Sequence, residues 1–246
     1  MHKLLFQKTQ LLSHDCSDSA NRDWMGLGLH YRFRQVEFCQ SSGSGILTRV
    51  YNNPFGECYA FTLDDVKPYG KGKVQLDLIA AMNNPLSVEY YHITFRWQKN
   101  KEHGIFRWVA RNDKLPYLCP VRMWTRILKT FLRLRGVKYR DQPLAVYRNK
   151  SGQVRNITAD TVTALMRALA VEHYNLTDKE DIQKFSCHSL RVGACCLLFA
   201  CGYPAEFIQR VLRWKSDAWK TYVRDMVVTA LKQNTAMLDA DTMSEL

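Results

Sequence analysis

The sequence predicts an α+β fold, in which a small antiparallel β-sheet is inserted after the first helix of a mainly helical domain. Two regions, residues 22–40 and the chain after Pro120, place apolar residues at helical spacing. Between them, residues 57–111 contain short runs of β-branched and aromatic residues separated by Gly, Pro and Asn. Since no linker divides these regions, we expect one domain over residues 22–246, preceded by a tail or linker remnant at residues 1–21.

The predicted elements of the first half are one helix and four strands. The helix covers RDWMGLGLHYRFRQVEFCQ, and the loop SSGSG follows it at residues 41–45. The strands are predicted at residues 57–66, 73–80, 88–97 and 104–111. The sequences PYGKG, MNNP and QKNKEHG are typical of the turns that join such strands.

After Pro120 we expect only helices. The first covers residues 121–136 and ends at a glycine, and the second covers residues 161–174 with either Thr158 or Asp160 as its N-cap. Three more are predicted at residues 188–201, from Pro204 onward, and at residues 226–238, where the pattern is amphipathic.

Composition favours a polyanionic partner. The 246 residues include 35 Lys and Arg against 23 Asp and Glu, which gives a net charge of +12. Such a charge indicates nucleic acid first and an anionic membrane surface second. No apolar run reaches the ~20 residues of a membrane span, and the N-terminus lacks the features of a signal peptide. The eight cysteines include no CxxC pair, so we expect neither disulfides nor a metal site, and an intracellular location.

One stretch carries candidate chemistry: CHSLRVGACCLLFACGYPAEFIQRVLRWKSDAWKTYVR. His188 and Arg191 are three residues apart, so they share one helix face, and Trp214 and Tyr222 follow. A tyrosine that attacks phosphorus needs cations beside it, and arginine matches two phosphate oxygens. The simpler interpretation is a set of ordinary core helices.

The segments HSLRVGA and GYPAEFIQRVLRWKSDAWKTYVR resemble the C-terminal half of a tyrosine recombinase catalytic domain (the phage integrase family). The closest similarity in style is to the recombinases of Crypton-type and DIRS-type eukaryotic mobile elements. The resemblance implies a helix arginine in an R-x-x-E motif, met by Arg34 with Glu37 in preference to Arg32. It also implies a lysine on a β-hairpin, with Lys101 as the rival of Lys99. The implied catalytic set is Arg34, Lys99, His188, Arg191, Trp214 and Tyr222.

The resemblance implies a site-specific DNA recombinase or integrase that cuts and rejoins double-stranded DNA through a 3′-phosphotyrosyl link on Tyr222. Arg34 and Arg191 would bind the non-bridging phosphate oxygens, and Lys99 would protonate the leaving 5′-oxygen. His188 would assist proton transfer, and Trp214 would donate a hydrogen bond or support the tyrosine helix. No metal, ATP or other cofactor is expected.

Further expectations concern partners and alternatives. Four cations near the motif are candidate DNA contacts: Lys101, Arg213, Lys215 and Lys220. A homo-oligomer, a dimer or tetramer on DNA, would form through the C-terminal helix, and the location would be nuclear in a eukaryote. The family's N-terminal clamp domain is not expected, because only residues 1–21 precede the first helix. This departure keeps open a domesticated or truncated, non-catalytic DNA-binding protein. A basic RNA-binding protein is a third hypothesis, although no aromatic RNA-binding signature supports it.

Overall fold

The computed structural model describes residues 16–39, 59–97, 103–214 and 217–223. It confirms the predicted α+β class, with helices and a small antiparallel sheet. The helices are α1 (Ser17–Tyr31), α2 (Gln35–Phe38), α3 (Leu78–Asn83), α4 (Pro120–Leu134), α5 (Ala159–Tyr174), α6 (Lys179–Gln183), α7 (Ser189–Ala200), α8 (Ala205–Leu212) and α9 (Lys220–Val223). The strands are β1 (Val66–Tyr69), β2 (Tyr90–Phe95), β3 (Ile105–Ala110), β4 (Val146–Arg148) and β5 (Val154–Asn156).

The first predicted helix is two helices. Helix α1 begins five residues before the predicted start and ends at Tyr31, because Arg32 adopts a left-handed conformation with φ 55°. Helix α2 then starts after Arg34, whose backbone N–H donates to the Glu37 carboxylate at 2.8 Å. This break matters for the site, because it places Arg34 at the start of a new helix instead of inside a long one.

The main sheet is an antiparallel meander of β1, β2 and β3. The predicted strands at residues 88–97 and 104–111 contain β2 and β3. Strand β1 starts only at the end of the first predicted strand, and the prediction of a strand at residues 73–80 is wrong. There a single bridge pairs Tyr69 with Gln75, and helix α3 follows because the Asp77 side chain accepts the Ala80 N–H at 2.9 Å.

The prediction that only helices follow Pro120 is wrong. Strands β4 and β5 form a two-stranded hairpin between α4 and α5. Its turn is closed by Asn149, whose side chain accepts the Gln153 N–H at 2.8 Å, and by Gly152 at φ 76°. This is the conformation that glycine adopts without strain.

The other predicted helices are confirmed within the described residues. Helix α5 takes Thr158 as its N-cap, whose hydroxyl accepts the Thr161 N–H at 3.2 Å. Helices α7 and α8 follow His188 and Pro204 as expected. The short helix α6 was not predicted, and the final predicted helix at residues 226–238 lies outside the described residues.

Helix α1 is central to the packing, since it contacts α4, α5 and α7. A ring network fills the main core around it: Trp24, Phe33, Phe61, Phe95 and Trp124. Gly28 lets α1 approach α7 closely, because a Cβ there would lie 3.2 Å from Leu190 Cδ1. The C-terminal end of α1, and Arg34 beyond it, is thereby brought to the start of α7.

A second, smaller hydrophobic cluster joins α7, α8 and the segment that ends in α9. Its fully buried members are Cys195, Leu198, Ile208, Leu212, Trp219 and Val223. We call it the tyrosine-helix cluster, because Tyr222 lies between two of its anchors. None of the helices in the described part of the chain has both the length and the apolar character to cross a membrane.

Candidate active site

His188 and Tyr222 meet across helices α7 and α9. His188 is the N-cap residue of α7, and its Nε2 lies 3.2 Å from the Tyr222 hydroxyl oxygen. Burial, followed by the nearby charge of Arg191, lowers the pKa of His188 below its usual 6.5. A lowered pKa favours the neutral imidazole at neutral pH, and its unprotonated nitrogen can accept the tyrosine proton.

Arg191 is a buried cation with unused donors. Arg191 is 3% exposed, and its Nη2 donates to the Leu212 carbonyl at the end of α8. Its Nε and Nη1 have no hydrogen-bond partner among the residues that the structure describes. Burial, followed by Arg213 and Arg34, lowers the pKa of Arg191 to about 9, which leaves it cationic at neutral pH. Because an unpaired buried charge is costly, this guanidinium is suited to an anionic ligand.

Trp214 bridges Arg191 and Tyr222. The Arg191 guanidinium carbon lies 5.2 Å from the centre of the Trp214 ring, at cation–π distance. The Trp214 and Tyr222 rings are 5.5 Å apart between centroids, at an interplanar angle of 38°. The indole therefore contacts both the cation and the candidate nucleophile.

Arg34 reaches the same helix end from the other side. Its Nη2 donates to the Arg213 carbonyl at 3.0 Å, next to the Leu212 carbonyl that Arg191 binds. The charge of Arg34 contributes to lowering the pKa of Arg191, so the two guanidinium groups are close enough to repel. Two cations from distant parts of the sequence are thus held together by successive carbonyls of one turn.

Arg213, which the sequence suggested as a DNA contact, is instead buried. Its side chain is 2% exposed, and its Nη1 and Nη2 each donate to one oxygen of Glu37 at 2.8 Å. Its guanidinium carbon lies 4.2 Å from the centre of the Phe95 ring on β2. The expectation of a surface contact is corrected, because this geometry makes Arg213 a buried link between α2, β2 and the end of α8.

The backbone at Arg213 is in the left-handed region, with φ 57° and ψ 42°. This conformation costs a residue other than glycine about 1 kcal/mol or more. The paired Glu37 carboxylate holds Arg213 there, and the turn directs the Leu212 and Arg213 carbonyls toward Arg191 and Arg34. Local strain therefore contributes to arranging the candidate site.

The remaining predicted residues are only partly described. Lys220 is exposed, and its Nζ lies 2.7 Å from the Asp217 carboxylate. Strands β2 and β3 form the expected hairpin, but Lys99 and Lys101, in the segment between them, lie outside the described residues. Lys215 lies outside them as well.

Tyr203 and Arg32 differ in how they relate to the site. Tyr203, a second tyrosine in the motif stretch, follows the C-terminal end of α7, is 46% exposed and stacks on Phe207 with centroids 4.7 Å apart. Arg32 lies beside the site, since its carbonyl accepts from Arg213 Nη2 at 3.1 Å. Arg32 donates to the His30 carbonyl instead of to the end of α8. Across residues 16–39, 59–97, 103–214 and 217–223, no group of three or more His, Cys, Asp or Glu side chains forms a metal-ligand cluster.

Sequence reasoning did not anticipate the pairing of Glu37 with Arg213, and it gave Trp219 no role in the site. The Glu37–Arg213 pair joins positions 176 residues apart, and Arg213 looks like any other cation of the basic run around it. Trp219, in the turn before α9, is 4% exposed and anchors the tyrosine helix. Its five-residue spacing from Trp214 was the available signal, and it fits a core position.

Comparisons with known proteins add no relative. No model of a known protein family matches the sequence, and a search of curated proteins finds no matching chain.

Proposed function

We propose that this protein is a DNA strand transferase of the tyrosine-recombinase type, with Tyr222 as the nucleophile. One observation carries the proposal: the Tyr222 hydroxyl lies 3.2 Å from His188 Nε2, beside a buried arginine with unused donors. A nucleophile, a neutral base and an anion-binding cation therefore occupy one cluster.

The two arginines suit a phosphodiester. The Nε and Nη1 donors of Arg191 are buried and make no hydrogen bond to the described residues, and Arg34 adds a second positive charge close by. A pentacoordinate phosphorane-like transition state carries more negative charge on those oxygens than the ground state does. Fixed guanidinium groups in a partly buried site would stabilise this charge, and they would lower the barrier accordingly.

The proposed step is an in-line exchange at phosphorus. The Tyr222 oxygen forms a bond to phosphorus while its proton passes to His188 Nε2, and the bond from phosphorus to the 5′-oxygen breaks. The products are a 3′-phosphotyrosyl link and a DNA strand that ends in a 5′-hydroxyl, which needs one proton. Lys99 is the proposed donor of that proton, on the basis of the resemblance. Rejoining reverses the step, so the proposed reaction consumes no ATP.

The order of residues along the chain also supports a recombinase catalytic fold. An arginine after the first helix, a three-stranded sheet, a His-x-x-Arg helix, a tryptophan and a tyrosine follow one another, as in the resemblance. The net charge of +12 suits double-stranded DNA as the substrate. We further propose that the protein acts on DNA as a homo-oligomer, and that it is nuclear if its source is eukaryotic.

The test is covalent capture on nicked DNA. The purified full chain is incubated with randomised duplexes, nicked so that cleavage releases a short fragment and prevents rejoining. We expect an SDS-resistant protein–DNA adduct with the unchanged chain and none with Tyr222→Phe. Phenylalanine retains the ring that contacts Trp214 but lacks the attacking oxygen, so DNA binding should be retained.

Tyr203→Phe is the matched control, because it removes another partly exposed tyrosine hydroxyl outside the cluster. It should form the adduct at the unchanged rate. An adduct that survives Tyr222→Phe would show that Tyr222 is not the nucleophile. Salt-sensitive DNA binding without any adduct in the unchanged chain would favour the non-catalytic DNA-binding protein instead.

A further inference from the structure

The three-stranded sheet has a face that α4 does not cover. Helix α4 packs against β2 and β3, and the residues that alternate with those buried ones point to the opposite side. The strand register places them in three rows. The first contains Tyr69, Tyr90 and Ala110, the central row contains Lys67, His92 and Trp108, and the third contains Thr94 and Phe106. We call this surface the outer sheet face.

Five aromatic side chains form a continuous group on the outer sheet face. His92 stacks on Phe106 with centroids 4.7 Å apart, and the edge of Trp108 meets His92 at 5.1 Å. Tyr69 and Tyr90 also meet Trp108 edge-on, at 4.9 and 6.4 Å. Phe106 remains 52% exposed and Trp108 39% exposed, although both are large apolar side chains. An exposed aromatic group of this size is characteristic of a binding surface.

Among the described residues, the outward-facing strand positions of this face carry positive charge and no negative charge. Lys67 stands in the central row, and Lys73 Nζ lies 5.1 Å from the centre of the Trp108 ring. None of the eight strand positions that face outward is Asp or Glu. Burial, followed by the Lys67 charge, lowers the pKa of His92, which favours a neutral ring. The surface therefore combines aromatic rings with ammonium groups, and its strands contribute no carboxylate.

We propose that the outer sheet face binds single-stranded nucleic acid, with bases stacked on Phe106 and Trp108 and phosphates beside Lys67 and Lys73. Aromatic rings on an open sheet bind unpaired bases because every base offers a π-face, and nearby cations neutralise the backbone. Within a duplex those faces are already stacked on neighbouring bases. An acidic protein would use only the cations of this face, and an apolar protein would use only its rings. A nucleic acid strand uses both.

This surface is separate from those proposed catalytic residues that the structure describes. Phe95, which contacts Arg213, lies on the buried side of β2, whereas His92 and Thr94 lie on the outer side. No aromatic RNA-binding signature is visible in the sequence, because the rings come from three strands and assemble only in the sheet. The inference stands whether or not Tyr222 cuts DNA.

The test measures the affinity of the full chain for labelled 12-nucleotide strands of dT and of rU. Trp108→Ala and Phe106→Ala should each weaken binding by about fivefold or more, the effect typical of losing one stacked base. Lys73→Ala should reduce the slope of log affinity against log salt by about 0.7. Tyr174→Ala, a matched change at an exposed aromatic on α5, should leave both unchanged.

An abasic strand of equal length provides the decisive comparison. The unchanged chain should bind it at least fivefold more weakly than dT, Trp108→Ala should reduce that difference, and the double change Trp108→Ala with Phe106→Ala should nearly remove it. Tighter binding of dT or of rU identifies DNA or RNA as the preferred strand, and either supports the proposal. Equal affinity for abasic and normal strands, or affinity unaffected by both aromatic changes, would overturn it. Circular dichroism of each variant verifies that the fold is retained.

Discussion

The two sides of the candidate active site are anchored to very different cores. Arg34 and Glu37 lie next to Phe38, which stacks on Trp24 in the main core, and Arg213 lies over Phe95. Tyr222 instead belongs to a four-residue helix, whose buried anchors are Trp219 and Val223. Arg34 and Arg213 are thus fixed to the larger core, and the nucleophile is held by the small tyrosine-helix cluster.

This difference indicates a division of roles within the site. Phosphate-binding groups act best when they are already fixed, because no reorganisation is then needed as charge develops. A nucleophile that becomes covalently attached to its substrate can belong to a segment of lower local stability. Leu212 connects the two sides, since its side chain belongs to the small cluster and its carbonyl accepts from Arg191.

The largest predicted effect comes from breaking the buried ion pair. Glu37→Ala removes the carboxylate from a pair whose side chains are 3% and 2% exposed, so Arg213 remains as an uncompensated buried charge. We expect a loss of about 3–5 kcal/mol in the free energy of unfolding. Urea unfolding followed by circular dichroism measures it.

The control for Glu37→Ala is Asp113→Ala. Asp113 pairs with Arg122 at 2.7 Å, but both side chains are about two-fifths exposed. An exposed pair contributes about 0–1 kcal/mol, so this change should have little effect. Equal losses from the two changes would mean that burial does not distinguish the pairs, and that the Glu37–Arg213 link does not anchor the site.

A matched pair of leucines tests the two cores directly. Leu128 in the main core and Leu212 in the tyrosine-helix cluster are both 0% exposed, so each Leu→Ala change should cost about 2–5 kcal/mol. We expect the Leu128→Ala loss to appear in global unfolding. Leu212→Ala should mainly raise amide hydrogen exchange in residues 205–223 and slow the formation of the DNA adduct.

Mass spectrometry of exchanged peptides separates these outcomes. Peptides from α4 should keep their protection in Leu212→Ala and lose it in Leu128→Ala. If Leu212→Ala raised exchange equally in α4 and α8, the two clusters would unfold together. The comparison between a large and a small core would then have no energetic meaning.

Sequence patterns predicted the elements whose signals are local. These signals lie within a few residues of the helix that they define. They are the apolar spacing of α4, the cap at Thr158, Gly202 after the end of α7 and Pro204 before the start of α8. The predicted strand at residues 73–80 failed because Asp77 caps a helix there, and alternation alone does not reveal which pattern prevails. The β4–β5 hairpin is missed for a similar reason, since three-residue strands give little periodicity.

The candidate site was nominated from the sequence as a set of residues, with little of its geometry. The resemblance nominated His188, Arg191, Trp214 and Tyr222, and the fold brings these four side chains into contact. Nothing local distinguishes Arg213 from the cations around it. Its burial depends on Glu37, far away in the sequence, and on the left-handed turn that ends α8. Such pairings depend on tertiary structure.

The smallest predicted effect is a pH dependence that separates the base from the cations. The pKa of His188 is lowered, so the imidazole is neutral at neutral pH and gains a proton only at a pH more acidic than for an ordinary histidine. Adduct formation should therefore be constant at neutral pH and fall below the lowered pKa, by up to tenfold, or about 1.4 kcal/mol, per pH unit. Arg191, with its pKa lowered to about 9, does not titrate in this acidic range. His188→Gln should form the adduct more slowly and should lose this acidic limb, because glutamine gains no proton.

Circular dichroism at each pH accounts for unfolding, since the lowered pKa of His188 also makes the folded state less stable in acid. An unchanged acidic limb in His188→Gln would assign the titration to another group, and Tyr222 would then need a different base.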